Sequence, residues 1–345
     1  MLPGKSKAVT QADIATLVGV TQRTVSRCFL QPGAVEPGIL GRVTEAARKA
    51  GYHPNRAARI IRGGRSERVT LLHDAGASDP CVHAMFLLSV HQCLRDCHLN
   101  LSLEDLPSGA GRVSHSDLHM SDGVMVACHS GLSGEADAQV RRLSVPVVWV
   151  NTHGAHNGVC PDDQRAGREA TEHLLHLGHR RIAFVDQPEC RARVRLSPSA
   201  YCNCAARLAG YREAMSAAGL RPWLVQAEAG ETLATALGVY RRLLLQSDRP
   251  TGLVVCRKRD AQAAVFATHT WRGLEVPRDL SIVTFTEDLP WTYPRLTAWV
   301  TPWKSMGKAA VEMLVDRMRR PESDWAHRWL PMERVEGVTC GKPPC

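Results

Sequence analysis

From Val69 onward, short apolar runs alternate with amphipathic stretches, and this alternation leaves little choice of fold. The apolar runs predict strands at Val69–Leu72, Leu99–Leu103, Gly123–Ala127, Val145–Val150, Ile182–Val185, Gly252–Val255 and Leu280–Phe285. Helical periodicity lies between them, over residues 84–97, 135–143, 166–177, 205–218, 233–247, 260–272 and 306–319. Strands that pair in parallel need long crossovers, and a helix is the usual one. The pattern therefore predicts a parallel α/β body. Gly178, Gly219 and Gly273 stand just after three of the helices, where left-handed backbone ends a helix.

The first 68 residues differ in charge and in pattern. They hold twelve Lys and Arg against four acids, whereas the other residues are close to neutral although the whole chain carries +9. A basic head on a neutral body suits a polyanion, with counterion release from phosphates supplying affinity that does not depend on sequence. A solvated basic tail would show the same charge without helical period, and this segment has that period. Thr10-Gln-Ala-Asp13 is a capping-box start to a first helix striped by Ile14, Leu17 and Val18. Gly19 and Val20 make a tight corner, and Thr21 caps a second helix running from Gln22 to about Phe29. A third helix, around Ile39 to Ala50, packs behind and is closed by Gly51. The all-α head is thus a helix-turn-helix whose second helix turns Gln22, Arg23, Ser26 and Arg27 outward to base edges or phosphates.

Two segments carry a resemblance. Ala15-Thr-Leu-Val-Gly-Val-Thr-Gln-Arg-Thr-Val-Ser-Arg27 resembles the turn and recognition helix of the lac-repressor (LacI/GalR) family, and Gly51-Tyr-His-Pro-Asn-Arg-Ala-Ala-Arg-Ile-Ile-Arg-Gly-Gly-Arg65 resembles its hinge. The likeness continues in Pro161–Gly167, Glu172–Phe184, Arg207-Leu-Ala-Gly-Tyr211, Gly273–Val283 and Met306–Val311. It implies a head over residues 1–52, a hinge helix and linker over 53–66, and an effector-binding and dimerising body over 67–345. That body would be two Rossmann-like lobes of the periplasmic-binding-protein type. Carried over by motif, Gln22, Arg23 and Arg27 read bases, while Thr21, Thr24 and Ser26 lie at or near phosphate contacts. Asn55, Arg56 and Ala58 belong to the hinge helix, and Ile61 takes the place of the leucine that wedges into the minor groove. Two turns of helix are too short to be stable alone, so the hinge is expected to fold with DNA and a partner hinge. The expected partners are an inverted-repeat operator in double-stranded DNA, a second copy of the chain and a small-molecule effector, with repression the expected sense.

For the effector, the resemblance places Asn151, Asp162, Arg207, Lys258, Arg259 and Thr286 in the cleft between lobes. Lys258-Arg259 stands where the family usually has Asn-Asp, and Thr286 where it usually has Asp. Trading acceptors for cations points to an anionic effector such as a sugar acid or sugar phosphate. Two alternatives stay open: an idle pocket, with Lys258 and Arg259 solvated or paired to Asp260 and Glu287, and a metal- or redox-responsive regulator. Twelve cysteines occur without any Cys-x-x-Cys, and they read most simply as reduced core residues. No cofactor is expected, since Met306-Gly-Lys lacks both the upstream glycine and the hydroxyl of a phosphate-binding loop. No catalytic motif argues for an enzyme. With neither a signal peptide nor a membrane-length apolar run, a cytoplasmic location is expected.

Overall fold

The computed structural model describes residues 9–52, 66–73, 83–106, 118, 120–128, 134–152, 157–186, 202–226, 233–288, 294–322 and 325–344. Contacts divide the chain into two compact units, Met1–Ser66 and Glu67–Cys345.

The first unit holds α1 (Gln11–Val18), α2 (Gln22–Leu30) and α3 (Pro37–Lys49). The capping box forms as the sequence predicts. Asp13 N–H donates to Thr10 Oγ1 at 3.3 Å, and the Thr10 amide donates back to Asp13 Oδ2 at 2.8 Å. Gly19 makes the corner at φ 70°, a left-handed conformation that costs glycine nothing. Helix α3 begins two residues before its predicted start, because Pro37 at the first helical position sacrifices no hydrogen bond. Ile14, Val18, Val25, Cys28, Val43 and Ala47 fill the core between the three helices.

The second unit contains two six-stranded sheets. Strands β1 (Arg68–His73), β2 (Asn100–Asp105), β3 (Gly123–Ala127), β4 (Val147–Val150), β5 (Gly158–Pro161) and β11 (Arg328–Leu330) form one, in the order β11-β5-β4-β3-β1-β2. The other has the order β12-β10-β9-β8-β6-β7, from β6 (Ile182–Val185), β7 (Trp223–Val225), β8 (Gly252–Val255), β9 (Ser281–Thr286), β10 (Thr297–Val300) and β12 (Glu333–Val335). Every pairing is parallel except β10 with β12.

Helices cover both faces of each sheet, as parallel sheets require. The first sheet packs against α4 (Ala84–Asp96) and α10 (Trp303–Arg319) on one side and α5 (Gly134–Arg141) on the other. The second packs against α6 (Asp163–His176) and α7 (Asn203–Ala217) on one side, and α8 (Leu233–Leu244) and α9 (Lys258–Arg272) on the other. The chain passes between lobes after β5, after β10 and between β11 and β12, which gives the two-lobed body implied by the resemblance. Gly178, Gly219 and Gly273 end α6, α7 and α9 at positive φ, as expected.

Candidate functional site

In the first unit, α2 carries its polar face outward. Thr21 caps it by accepting from Thr24 N–H at 3.1 Å, and the two hydroxyls lie 2.9 Å apart. Such a cap contributes about 1 kcal/mol and fixes where the helix begins. Gln22, Arg23 and Arg27 are exposed, Thr24 and Ser26 are half-buried, and Val25 and Cys28 face the core. Arg27 Nη2 reaches Ala34 O at 3.2 Å, which ties α2 to the segment after it. Asn55, Arg56, Ala58 and Ile61 lie outside the described residues.

The second unit gathers polar groups at the carboxyl ends of its strands, where parallel α/β sheets bind ligands. Arg207 is buried on α7. Its Nε donates to Asp163 Oδ1 at 2.7 Å, its Nη1 donates to Cys256 O at 3.0 Å, and its guanidinium lies 4.5 Å over the Phe285 ring. Asp163 is fully buried, so removing either member of this pair would strand a charge, at a cost of about 3–5 kcal/mol. The pairing depends on how closely α6 and α7 approach. A Cβ on Gly167 would run into the Arg207 backbone, and one on Gly210 into the backbone of Gln164.

Asn151 follows β4 at φ 52°, and its buried Oδ1 has no hydrogen-bond partner among the described residues. Asp162 caps α6, with its Oδ1 accepting from Arg165 N–H at 3.0 Å. Lys258 pairs with Asp288, and Thr286 Oγ1 lies 3.1 Å from the same carboxylate. Burial opposes ionisation of Asp288, yet Lys258, Thr286 and the neighbouring His83 hold its pKa below the usual carboxylate value. His83 stacks on Trp303, with ring centroids 5.9 Å apart at 9°, and the buried Trp303 Nε1 has no partner among the described residues.

Three sequence expectations are corrected. Arg207, Lys258 and Arg259 do not pool an uncompensated positive charge: Asp163 and Asp288 neutralise the first two, and the half-exposed Arg259 lies 3.8 Å from Asp260. The alternative pairing holds in part: Arg259 does lie near Asp260, which Arg257 approaches more closely at 2.8 Å, but Lys258 pairs with Asp288 rather than with Glu287. Asp288 supplies the carboxylate that Thr286 lacks, two residues further on. The third concerns the cysteines. Cys28, Cys93, Cys97, Cys128, Cys160, Cys204, Cys256 and Cys340 are free, but Cys202 is disulfide-bonded rather than reduced.

Residues 10–55 match the model of bacterial regulatory proteins of the lacI family, and residues 171–340 match that of a periplasmic binding protein-like domain. The chain thus joins a lacI-type DNA-binding head to a periplasmic-binding-protein-like body. Among lacI-family relatives, catabolite control protein A of Priestia megaterium is 25% identical over 95% of this chain and 98% of its own length. The ribose operon repressor of Haemophilus influenzae is 28% identical, over 92% of this chain and 94% of its own. Among solved structures, the lac repressor dimer bound to operator and an anti-inducer superposes with a TM-score of 0.76 at 22% identity, covering 96% of this chain and 99% of that one. Among the described residues no helix is long and apolar enough to cross a membrane, and no group of three or more His, Cys, Asp or Glu could hold a metal.

Proposed function

We propose that this lacI-family member is a transcriptional repressor that binds an inverted-repeat operator as a dimer and is released or engaged by a small polar effector. The observation that carries the reading is α2, a capped second helix with Gln22, Arg23 and Arg27 exposed on its outer face. A helix so presented, in a segment with a large excess of basic residues, suits entry into the major groove. Selection of bound duplex from a random library should return a two-fold symmetric site, with affinity falling steeply as salt rises. Equal affinity for selected and random duplexes across the salt series would overturn the proposal.

The effector reading rests on Arg207, Asn151, Asp288 and Trp303. Paired cations favour a neutral, hydroxyl-bearing ligand over an anion, because the half-exposed Asp288 carboxylate can accept from hydroxyls while Asn151 and Trp303 offer unused polar atoms. The ribose operon repressors and the cellobiose complex of the regulator CelR point in the same direction by name. In a thermal-shift screen, neutral sugars should stabilise the protein, and Asn151→Ala should remove the effect. Stabilisation by sugar acids or sugar phosphates alone would return the anionic reading suggested by the sequence.

A further inference from the structure

Cys202-Asn-Cys204 opens α7, and Cys256 follows β8 on the neighbouring strand end. Folding brings the second and third of these together: the thiols of Cys204 and Cys256 are in hydrogen-bond contact, and Arg207 Nη1 lies 3.9 Å from Cys256 Sγ. Both sulfurs sit beside positive potential. Cys204 occupies the first turn of a 15-residue helix that has no side-chain cap, and Cys256 has the guanidinium. Burial disfavours the Cys256 thiolate, yet the Cys204 hydrogen bond and the Arg207 charge bring its pKa below the ordinary thiol value. Cys160, also buried but without a cation, is pushed the other way, to about 12. The neighbouring Cys202 is already oxidised to a disulfide.

We propose that Cys204 and Cys256 form a redox-active dithiol, oxidised reversibly by hydrogen peroxide to an intrachain disulfide. The Cys256 thiolate attacks one peroxide oxygen, the O–O bond breaks, and hydroxide leaves to give a sulfenic acid. The Cys204 thiolate then attacks that sulfur and expels the sulfenic hydroxyl, and the two hydroxides take up the two thiol protons to become water. Two thiols and one peroxide thus become one disulfide and two waters. A small oxidant suits sulfurs that are almost completely buried. Because Arg207 bonds to the Cys256 carbonyl, the modification falls on the wall of the proposed effector site, although the chemistry does not depend on that site binding anything.

The test uses the full chain, exposed to dilute peroxide, quenched in acid with an alkylating agent and mapped by mass spectrometry. The expected result is a linked Cys204–Cys256 peptide that dithiothreitol removes. In Cys204→Ser the intermediate cannot be resolved, and a dimedone adduct on Cys256 is expected instead. If Cys204 and Cys256 stay alkylatable, or if Cys256 passes to sulfinic acid in the wild type without a link, the proposal fails. A null effector screen leaves the peptide map unaffected, so the two proposals can fail separately.

Discussion

Arg23 stands on the first turn of α2 with its side chain in solvent and Thr21 holding the helix start beneath it. An arginine in that position can make a bidentate contact to guanine, so Arg23→Ala should cost about 1–3 kcal/mol and relax preference at one position per half-site. Competition binding against operators varied one base at a time measures both, and uniform weakening would make Arg23 a phosphate contact. His179 illustrates a buried residue doing different work. Its Nδ1 lies 3.0 Å from Thr251 Oγ1, and its Nε2 lies 2.9 Å from Ser281 Oγ and 3.0 Å from Gly341 O, tying the C-terminal segment to the start of β9. Burial holds its pKa below the ordinary 6.5, so the folded state keeps it neutral. Above pH 6.5 both states are neutral and stability is full. As pH falls below that value the unfolded chain takes up a proton that the native chain refuses, and stability drops until the folded pKa is passed. Burial shifts His173 the same way, whereas Asp279 and Asp288 lie below the ordinary 3.8 and matter only in stronger acid. Urea midpoints should therefore fall between pH 6.5 and 5, and less so in His179→Asn, which itself costs about 1–3 kcal/mol in lost buried hydrogen bonds. An identical slope in the variant would assign the effect elsewhere.

At the scale of elements, the crossing of α6 and α7 matters most, because it brings Arg207 to Asp163. Gly210→Ala places a methyl against the backbone of Gln164, which cannot give way as a side chain could, so about 1–3 kcal/mol of stability should be lost. Any effector-induced thermal shift should shrink with it. Retained stability would mean the two helices can separate without penalty. The same crossing explains what the sequence could and could not disclose. Arg207-Leu-Ala-Gly-Tyr211 stands out as a motif, and its parts have separate uses: Arg207 in the site, Gly210 at the contact, Tyr211 donating to Ile182 O and accepting from Trp223 N–H, both at 2.8 Å. Asp163 was invisible as a partner because no local rule links positions on different helices. Seven strands declared themselves by apolar runs, among them the half-exposed β2, whereas the buried β10 did not. Strand β5 hid behind Gly158 and Pro161, which read as breakers, and β11 and β12 are short and largely exposed, with no period to detect. Asp288 escaped notice because it lies beyond the end of β9 and reaches back through Thr286.

For the whole molecule, the deciding quantity is how many basic heads meet one DNA site. One face of α4 is buried through Phe86, Val90 and Leu94, while Met85 at 45% and Leu88 at 55% exposure point away from the core. Next to α4 lies β2, an edge strand with Leu103 at 48% exposure. Among the described residues, these apolar side chains and the adjoining edge strand form the kind of patch that a partner surface covers. A second copy of the chain, related by a two-fold axis, would cover it and pair two recognition helices with two half-sites. Leu88→Glu places a charge at the centre of that patch and should shift sedimentation from dimer to monomer. The phosphate contacts per bound protein should then fall by about half, and with them the slope of log affinity against log salt. Operator affinity should drop further than a single lost contact explains, because two half-sites no longer reinforce each other. A Leu88→Glu protein that stays dimeric with an unchanged salt slope would move the interface elsewhere, with α9 and its exposed Phe266 the next face to test.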